Sequence, residues 1–237
     1  MYKRQLKEFV PFPINYQSHS GGIEAGSSPD LLSGFENQFL VFFPGRLMNT
    51  KTERDLLTGQ TKGAEEALRG FLKFQETASA NSLLVLVDHS YSPDKESIMQ
   101  IISNLGVENL VVWVKSPISN SRLTNTEMAS IYRRSDVILG DFGSGWFGQT
   151  AIEAAAHGKP FISYMDQEFM YENFGFNPFT LARTPDEICQ KLTELYVSSE
   201  QRKLKGLEMG KWYEDFLSED VVRRWYQHEI RKAVKSE

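Results

Sequence analysis

Five short apolar runs, separated by stretches with helical periodicity, constrain the fold of this chain more than any other feature. The runs are rich in β-branched or aromatic side chains, and they are Phe39–Phe43, Leu83–Val87, Leu110–Val114, Val137–Leu139 and Pro160–Tyr164. Continuous apolarity, rather than alternation with polar residues, predicts strands that are covered on both faces, as in a parallel sheet. The chain is therefore predicted to be an α/β protein.

Helical patterns fill the intervals between these strands, at residues 62–78, 93–105, 126–134 and 149–157. This alternation predicts an open, doubly wound, Rossmann-like sheet. We divide the chain into an extended N-terminal linker over 1–37, the Rossmann-like domain over 38–183, and a tail over 184–237. The tail is predicted to consist of helices that pack on the domain.

Composition excludes several classes of protein. Lys and Arg total 26 against 31 Asp and Glu, a net charge of −5, which argues against a binder of nucleic acid or anionic membranes. The single cysteine, Cys189, excludes an internal disulfide and an all-cysteine zinc site. Because no apolar run approaches the roughly 18 residues that a spanning helix needs, and no signal peptide is evident, we predict a cytoplasmic protein without a transmembrane segment.

Two basic residues follow the first predicted strand. Ligands of such sheets bind at the carboxyl ends of the strands, where Arg46 comes directly after the strand and Lys62 opens the next helix. One interpretation is that both bind a single anion, Arg46 as a planar fork and Lys62 as a point charge. The other is that both are solvated residues flanking a turn.

A glycine-rich segment follows the fourth strand. Gly143, Gly145 and Gly148 allow close approach of a ligand to the backbone, and the helix that begins near Gly148 directs N–H groups towards it. Glu153 lies about one turn into that helix, where a carboxylate suits paired hydroxyls such as a ribose diol. The alternative is that Glu153 is an ordinary helix-surface residue. The segment lacks the Gly-Lys-Ser/Thr of a phosphate-binding P-loop.

The stretch from Gly45 to Pro160 resembles the C-terminal, donor-binding half of GT-B glycosyltransferases of the group-1, retaining type. Three features occur in the family's order and spacing. They are Gly45-Arg46-Leu47 followed by Lys62-Gly63, Ile131-Tyr132 followed by Ser135-Asp136-Val137-Ile138, and the run from Gly145 through Glu153 to Gly158-Lys159-Pro160. With Pro11–Asn15, which looks like the family's interdomain linker, the resemblance covers about residues 9–165.

The resemblance implies roles for individual residues. Arg46 and Lys62 would hold the diphosphate of a nucleotide-sugar, Glu153 would bind the ribose hydroxyls, and the loop around Lys115 would border the nucleobase. The glycine-rich loop would meet phosphate or sugar through Gly145, Trp146, Phe147, Gly148 and Gln149. Positive charge and the helix dipole would stabilise the leaving diphosphate, so that no metal and no cofactor besides the nucleotide-sugar substrate is expected.

The sequence departs from the family at three points. Gly145 stands where many members carry a second glutamate, and Asp88-His89-Ser90 replaces a frequent glycine, so that His89 is either a pocket residue or a loop residue. The segment before the first strand is far too short for the family's N-terminal acceptor-binding domain, and no catalytic residue is assigned.

We therefore expect the donor-binding domain of a retaining, metal-independent glycosyltransferase, with an unknown acceptor. It would be incomplete as an enzyme without a separate or missing acceptor-binding domain. The alternative is a non-catalytic regulatory or assembly module that keeps the GT-B half-fold.

Overall fold

A single parallel sheet organises the chain. The structure, a computed structural model, describes residues 30–49, 52–58, 61–89, 91–117 and 122–235. Within these residues six strands pair in the order β3-β2-β1-β4-β5-β6, all of them parallel. The strands are β1 (Phe39–Phe43), β2 (Ser82–Val87), β3 (Val111–Val114), β4 (Val137–Leu139), β5 (Phe161–Ser163) and β6 (Thr180–Leu181). This order is that of a Rossmann-like, doubly wound sheet, so the predicted fold class is confirmed.

Helices connect the strands and form the tail. They are α1 (Glu53–Thr58), α2 (Ala64–Ala78), α3 (Lys95–Leu105), α4 (Asn125–Arg134), α5 (Gln149–Ala156), α6 (Gln167–Phe174), α7 (Pro185–Val197), α8 (Ser199–Trp212) and α9 (Glu219–Lys235). A 3₁₀ turn covers Glu108–Leu110, so that Leu110, the first residue of the predicted strand Leu110–Val114, precedes β3. A π-helix covers Tyr213–Leu217. None of the helices in the described ranges is long and apolar enough to cross a membrane.

The apolar runs are continuous because each strand supplies two cores. Leu40 and Phe42 of β1 belong to one core, whereas Val41 and Phe43 belong to the core on the opposite face. The tail contributes to both. Leu192 of α7 packs in the core that contains Val41 and Phe43. Trp212 of α8 is wholly buried in the core that contains Leu40 and Phe42.

One tail helix lies directly on the turn that ends α5. A Cβ atom added to Gly206 of α8 would lie 2.3 Å from the carbonyl oxygen of Gly158. The helix can approach this closely only because Gly206 has no side chain. Glu153, one of the predicted site residues, lies on α5. The tail helix α8 therefore packs against the element that carries it.

Most of the predicted N-terminal linker, residues 1–29, lies outside the described residues. The last part of it, residues 30–37, forms turns beside the sheet. Leu32 is wholly buried in the same core as Phe42, and the carboxylate of Asp30 lies 3.8 Å from Nε of Arg134. These contacts attach the end of the segment to the domain.

Candidate functional site

A pocket opens at the carboxyl ends of β1 and β4, between the two halves of the sheet. It is lined by Phe43, Gly45, Lys62, Leu139, Gly140, Asp141, Trp146, Phe147, Gly148, Thr150, Phe161 and Ser163. This is the switch point of the topology, because β1 has β2 on one side and β4 on the other, and the crossover connections run in opposite directions from it. Of the predicted site residues, Lys62, Trp146, Phe147 and Gly148 line the pocket.

Lys62 is held by a carboxylate that the sequence analysis did not identify. Its Nζ lies 2.9 Å from Oδ2 of Asp141, and only 8% of the Asp141 side chain is exposed. Oδ1 of Asp141 accepts hydrogen bonds from the backbone N–H groups of Gly143, at 2.8 Å, and of Ser144, at 3.1 Å. The Ser144 hydroxyl donates to Oδ2 at 2.9 Å. One carboxylate therefore ties the pocket lysine to the glycine-rich loop.

The glycine-rich loop has no room for a side chain at Gly145. Its φ of 70° lies in the left-handed region, and an added Cβ would lie 2.9 Å from Cε1 of Tyr164. The loop is anchored where the backbone N–H of Asp166 donates to the carbonyl of Gly145 at 3.0 Å. A side chain at this position would therefore be strained and would have to displace the Tyr164 ring.

Two aromatic residues follow Gly145 and fix the loop on the core. The Trp146 and Phe147 rings are stacked with their centroids 5.6 Å apart, and Trp146 also contacts Phe169 at 4.4 Å. Phe147 is buried, and its ring meets Trp212 edge to face at 5.0 Å. The loop is thereby held by α6 and by the tail.

The amino end of α5 faces the pocket without a side-chain cap. Gly148 is the N-cap residue and has no side chain to bond the first N–H groups, while Thr150, in the first turn, lines the pocket. Backbone N–H groups and the helix dipole at such an end favour an anion. The side chain of Gln149 turns along the helix and donates to Oε1 of Glu153 at 2.9 Å.

Glu153 is a buried residue and not a helix-surface residue. It is 7% exposed, and the Tyr132 hydroxyl donates to its Oε2 at 2.8 Å. The backbone carbonyl of Glu153 lies 2.9 Å from Nδ1 of His157, whose ring stacks on Tyr132. Glu153 is not among the residues that line the pocket, although Thr150, three residues before it, is.

The remaining basic candidates lie outside the pocket lining. Arg46 is exposed and follows Gly45, which lines the pocket, and Lys115 is exposed after β3. The loop that carries Lys115 is anchored by Glu127, which is 1% exposed and accepts a 2.9 Å hydrogen bond from Ser116 Oγ. The structure thus gathers Lys62 and the glycine-rich loop at one pocket, and it leaves Arg46 and Lys115 on neighbouring loops.

His89 lies on the loop after β2 and contacts the loop after β1. Its Nε2 is 3.4 Å from the carbonyl oxygen of Pro44, and its ring lies 4.9 Å from that of Tyr91. Burial lowers the pKa of His89, and the positive charges of Arg46 and Arg122 lower it further. His89 does not line the pocket, which agrees with its interpretation as a loop residue.

The described ranges hold no group of three or more His, Cys, Asp or Glu residues placed to bind a metal ion. Within those ranges the cationic group of the pocket is the ammonium of Lys62.

Comparison with solved structures identifies the fold of this chain in other proteins. No family model matches the sequence, and no curated protein matches it either. Sucrose-phosphate synthase from Thermosynechococcus elongatus has a TM-score of 0.63 at 13% identity, over 85% of this chain and 47% of that one. HepE from Anabaena, in complex with UDP and glucose, has a TM-score of 0.60 at 16% identity, over 86% of this chain and 50% of that one.

A third structure is itself a single domain. It is the C-terminal domain of a group 1 family glycosyl transferase, LpcC from Francisella tularensis, with a TM-score of 0.53 at 16% identity, over 75% of this chain and 85% of that one. This chain spans about half the length of the first two proteins. Its fold is therefore that of the C-terminal half of GT-B, group-1 glycosyltransferases, and the predicted resemblance is confirmed at the level of the fold.

Proposed function

We propose that this chain is the nucleotide-sugar-binding half of a glycosyltransferase, which transfers a sugar from a nucleoside diphosphate sugar to an acceptor. The observation that carries the proposal is the pocket at the carboxyl ends of β1 and β4, where Lys62, the glycine-rich loop and the amino end of α5 meet. A cation, a backbone open to close approach and a helix dipole are the groups that bind a diphosphate. The UDP bound to HepE, a protein of the same fold, supports this class of ligand.

The ribose would bind to Glu153. Its carboxylate accepts hydrogen bonds from the Tyr132 hydroxyl and the Gln149 amide, and an ionised carboxylate accepts only, which suits the paired hydroxyls of a ribose. The internal donors orient the carboxylate, so that little side-chain entropy is lost when the ligand binds.

The diphosphate would be stabilised as a leaving group by fixed positive charge. The bond from the anomeric carbon to the diphosphate breaks while a bond to the acceptor oxygen forms, and negative charge grows on the diphosphate. Lys62, Arg46 from the loop after β1 and the amino end of α5 would balance this charge, which is the part that a metal ion plays elsewhere. We accordingly propose transfer without a metal and, following the family resemblance, with retention of anomeric configuration.

The acceptor site would lie on another domain. The chain spans about half the length of sucrose-phosphate synthase and of HepE, and the groups at its pocket suit the diphosphate of a donor. In a two-domain arrangement the acceptor and the remaining catalytic groups would come from a separate domain or partner chain.

A non-catalytic module of the same fold is the second candidate. It is favoured by Gly145, because the left-handed backbone and the Tyr164 ring disfavour a side chain at the place where many family members carry a carboxylate that contacts the donor sugar. Such a module would keep the fold and lose the donor.

Calorimetric titration of the protein with UDP, GDP and ADP in EDTA separates the two candidates. We expect saturable binding of one diphosphate without a metal, weakened by Lys62→Met. Lys73→Met is the matched control, because Lys73 pairs with Asp186 away from the pocket and its loss should leave the affinity unchanged. If none of the three nucleotides binds, the donor-site proposal is wrong and the non-catalytic module is favoured.

A further inference from the structure

The ammonium of Lys62 is engaged within the protein. Lys62 and Asp141 both line the pocket, and Nζ lies 2.9 Å from Oδ2. The exposed fractions of the two side chains are 31% and 8%, so solvent screens this pair less than a pair on the open surface. A diphosphate that enters the pocket meets a cation that is already neutralised.

The two oxygens of Asp141 have separate partners. Oδ1 accepts from the backbone N–H groups of Gly143 and Ser144, and so it fixes the turn of the glycine-rich loop. Oδ2 accepts from Lys62 and from the Ser144 hydroxyl. One oxygen therefore positions the loop, and the other neutralises the pocket lysine.

We propose that Asp141 competes with the ligand's diphosphate for Lys62 and thereby sets the affinity of the pocket. The inference rests on the proposed function. When a nucleotide-sugar binds, Lys62 would turn from Oδ2 towards the phosphate oxygens, while Oδ1 keeps the loop in place. The Asp141 carboxylate also repels a diphosphate in the same pocket. The pocket would then bind the nucleoside diphosphate product more weakly than the same pocket without the Asp141 charge. The weaker binding favours release of the product after transfer.

Replacement of Asp141 by Asn tests the competition, because the amide oxygen can still accept from the loop N–H groups while the charge is removed. In EDTA we expect Asp141→Asn to bind UDP about three- to tenfold more tightly than the wild-type protein. Its affinity for uridine, which carries no phosphate, should not change. Asp186→Asn is the matched control, since it removes the carboxylate from the ion pair of Lys73 with Asp186, which lies away from the pocket. Its UDP affinity should stay within about twofold of the wild-type value.

A merely structural role for Asp141 would not produce a gain that depends on Lys62. In the Lys62→Met background, Asp141→Asn should therefore leave UDP affinity unchanged, apart from relief of direct repulsion, and the double-mutant cycle measures the difference. If Asp141→Asn does not fold, as judged by its circular dichroism and thermal midpoint, Asp141→Ser gives the same uncharged comparison, with a hydroxyl as acceptor for the loop.

The outcomes separate the inference from the proposed function. A folded Asp141→Asn that binds UDP no more tightly than the wild-type protein overturns the competition and leaves the donor site standing. An equal gain for uridine also overturns the competition, because the phosphates would not be its source. Absence of binding of UDP, GDP and ADP by both proteins overturns the donor site and the competition together.

Discussion

The hydroxyl of Tyr132 donates a hydrogen bond of 2.8 Å to Oε2 of Glu153 and thereby connects α4 to α5. A buried carboxylate is costly unless donors satisfy it, and Glu153 receives one from Tyr132 and another from Gln149. The position of Glu153 is consequently fixed by the protein itself. These contacts contribute to stability, and mutations can separate that contribution from the proposed binding of ribose at Glu153.

Tyr132→Phe should lower the free energy of unfolding by about 1–2 kcal/mol, because it keeps the ring and removes one donor from a buried carboxylate. Urea denaturation measures the change. Tyr196→Phe is the matched control, since the Tyr196 hydroxyl accepts only a long hydrogen bond of 3.4 Å from the exposed Asn81 backbone. A loss of equal size in both variants would contradict the assigned importance of the Tyr132–Glu153 bond.

Glu153→Gln should weaken the binding of UDP and of uridine by similar free energies, about 1–3 kcal/mol. The reason is that the proposed charge-assisted hydrogen bonds to the ribose hydroxyls are common to both ligands. Calorimetry with each ligand measures the change, and Glu168→Gln on an exposed turn of α6 is the control. Unchanged dissociation constants in a folded Glu153→Gln would remove this residue from the ribose site. A loss for UDP alone would place Glu153 at the phosphates instead.

Gly206→Ala should destabilise the protein by about 1–3 kcal/mol, because the added Cβ would collide with the Gly158 carbonyl and force α8 away from the turn after α5. Gly210→Ala in the same helix is the matched control. Its Cβ would make ordinary contact at 3.9 Å, so the better helix propensity of alanine should leave stability unchanged or raise it by up to about 1 kcal/mol. Thermal and urea unfolding of both variants test the pair, and equal behaviour would argue against the close contact.

Tyr213 should make stability fall at alkaline pH. Burial, together with the negative charges of Glu214 and Glu219, raises the pKa of Tyr213 from 10.0 to about 12. Because the folded state favours the neutral phenol, this contribution is fully present below pH 10 and is lost as the pH rises through about 12. Urea denaturation between pH 9 and 11.5 should show a steeper decline for the wild-type protein than for Tyr213→Phe. Parallel curves would contradict it.

The sheet was largely predictable because its strands are buried on both faces. Phe42 and Phe43 are adjacent in sequence and lie in different cores, and this arrangement produces the unbroken apolar run. The sequence analysis assigned no strand at Thr180–Leu181 and no helix at Gln167–Phe174. A strand of two residues has no periodicity to detect, and the signal of the helix lies in its cap, where Asp166 accepts a hydrogen bond from the Phe169 N–H.

Only those parts of the candidate site whose residues are close together in sequence were predictable. Spacing and resemblance indicated Lys62 and the residues from Trp146 to Gly148, which do line the pocket. The ion pair of Lys62 with Asp141 joins positions 79 apart, and the bond from Tyr132 to Glu153 joins positions 21 apart. Such pairs arise from the strand order and not from a local pattern, so the neutralised lysine and the buried glutamate became evident only in three dimensions.

The pocket lies where β1 pairs with β4, and this position has a consequence for the kinetics of folding. Val41 of β1 pairs with Val137 of β4, and the backbone N–H of Leu40 bonds to the Asp136 carboxylate, across 96 positions of sequence. Closing so long a loop is slow, because its entropy is lost before the contacts that compensate for it are made. A refolding chain in which β1 and β2 have already paired still has no ligand site. During refolding, the proposed nucleotide binding would therefore recover later than the helix and strand content. The rate of its recovery would report when β1 pairs with β4.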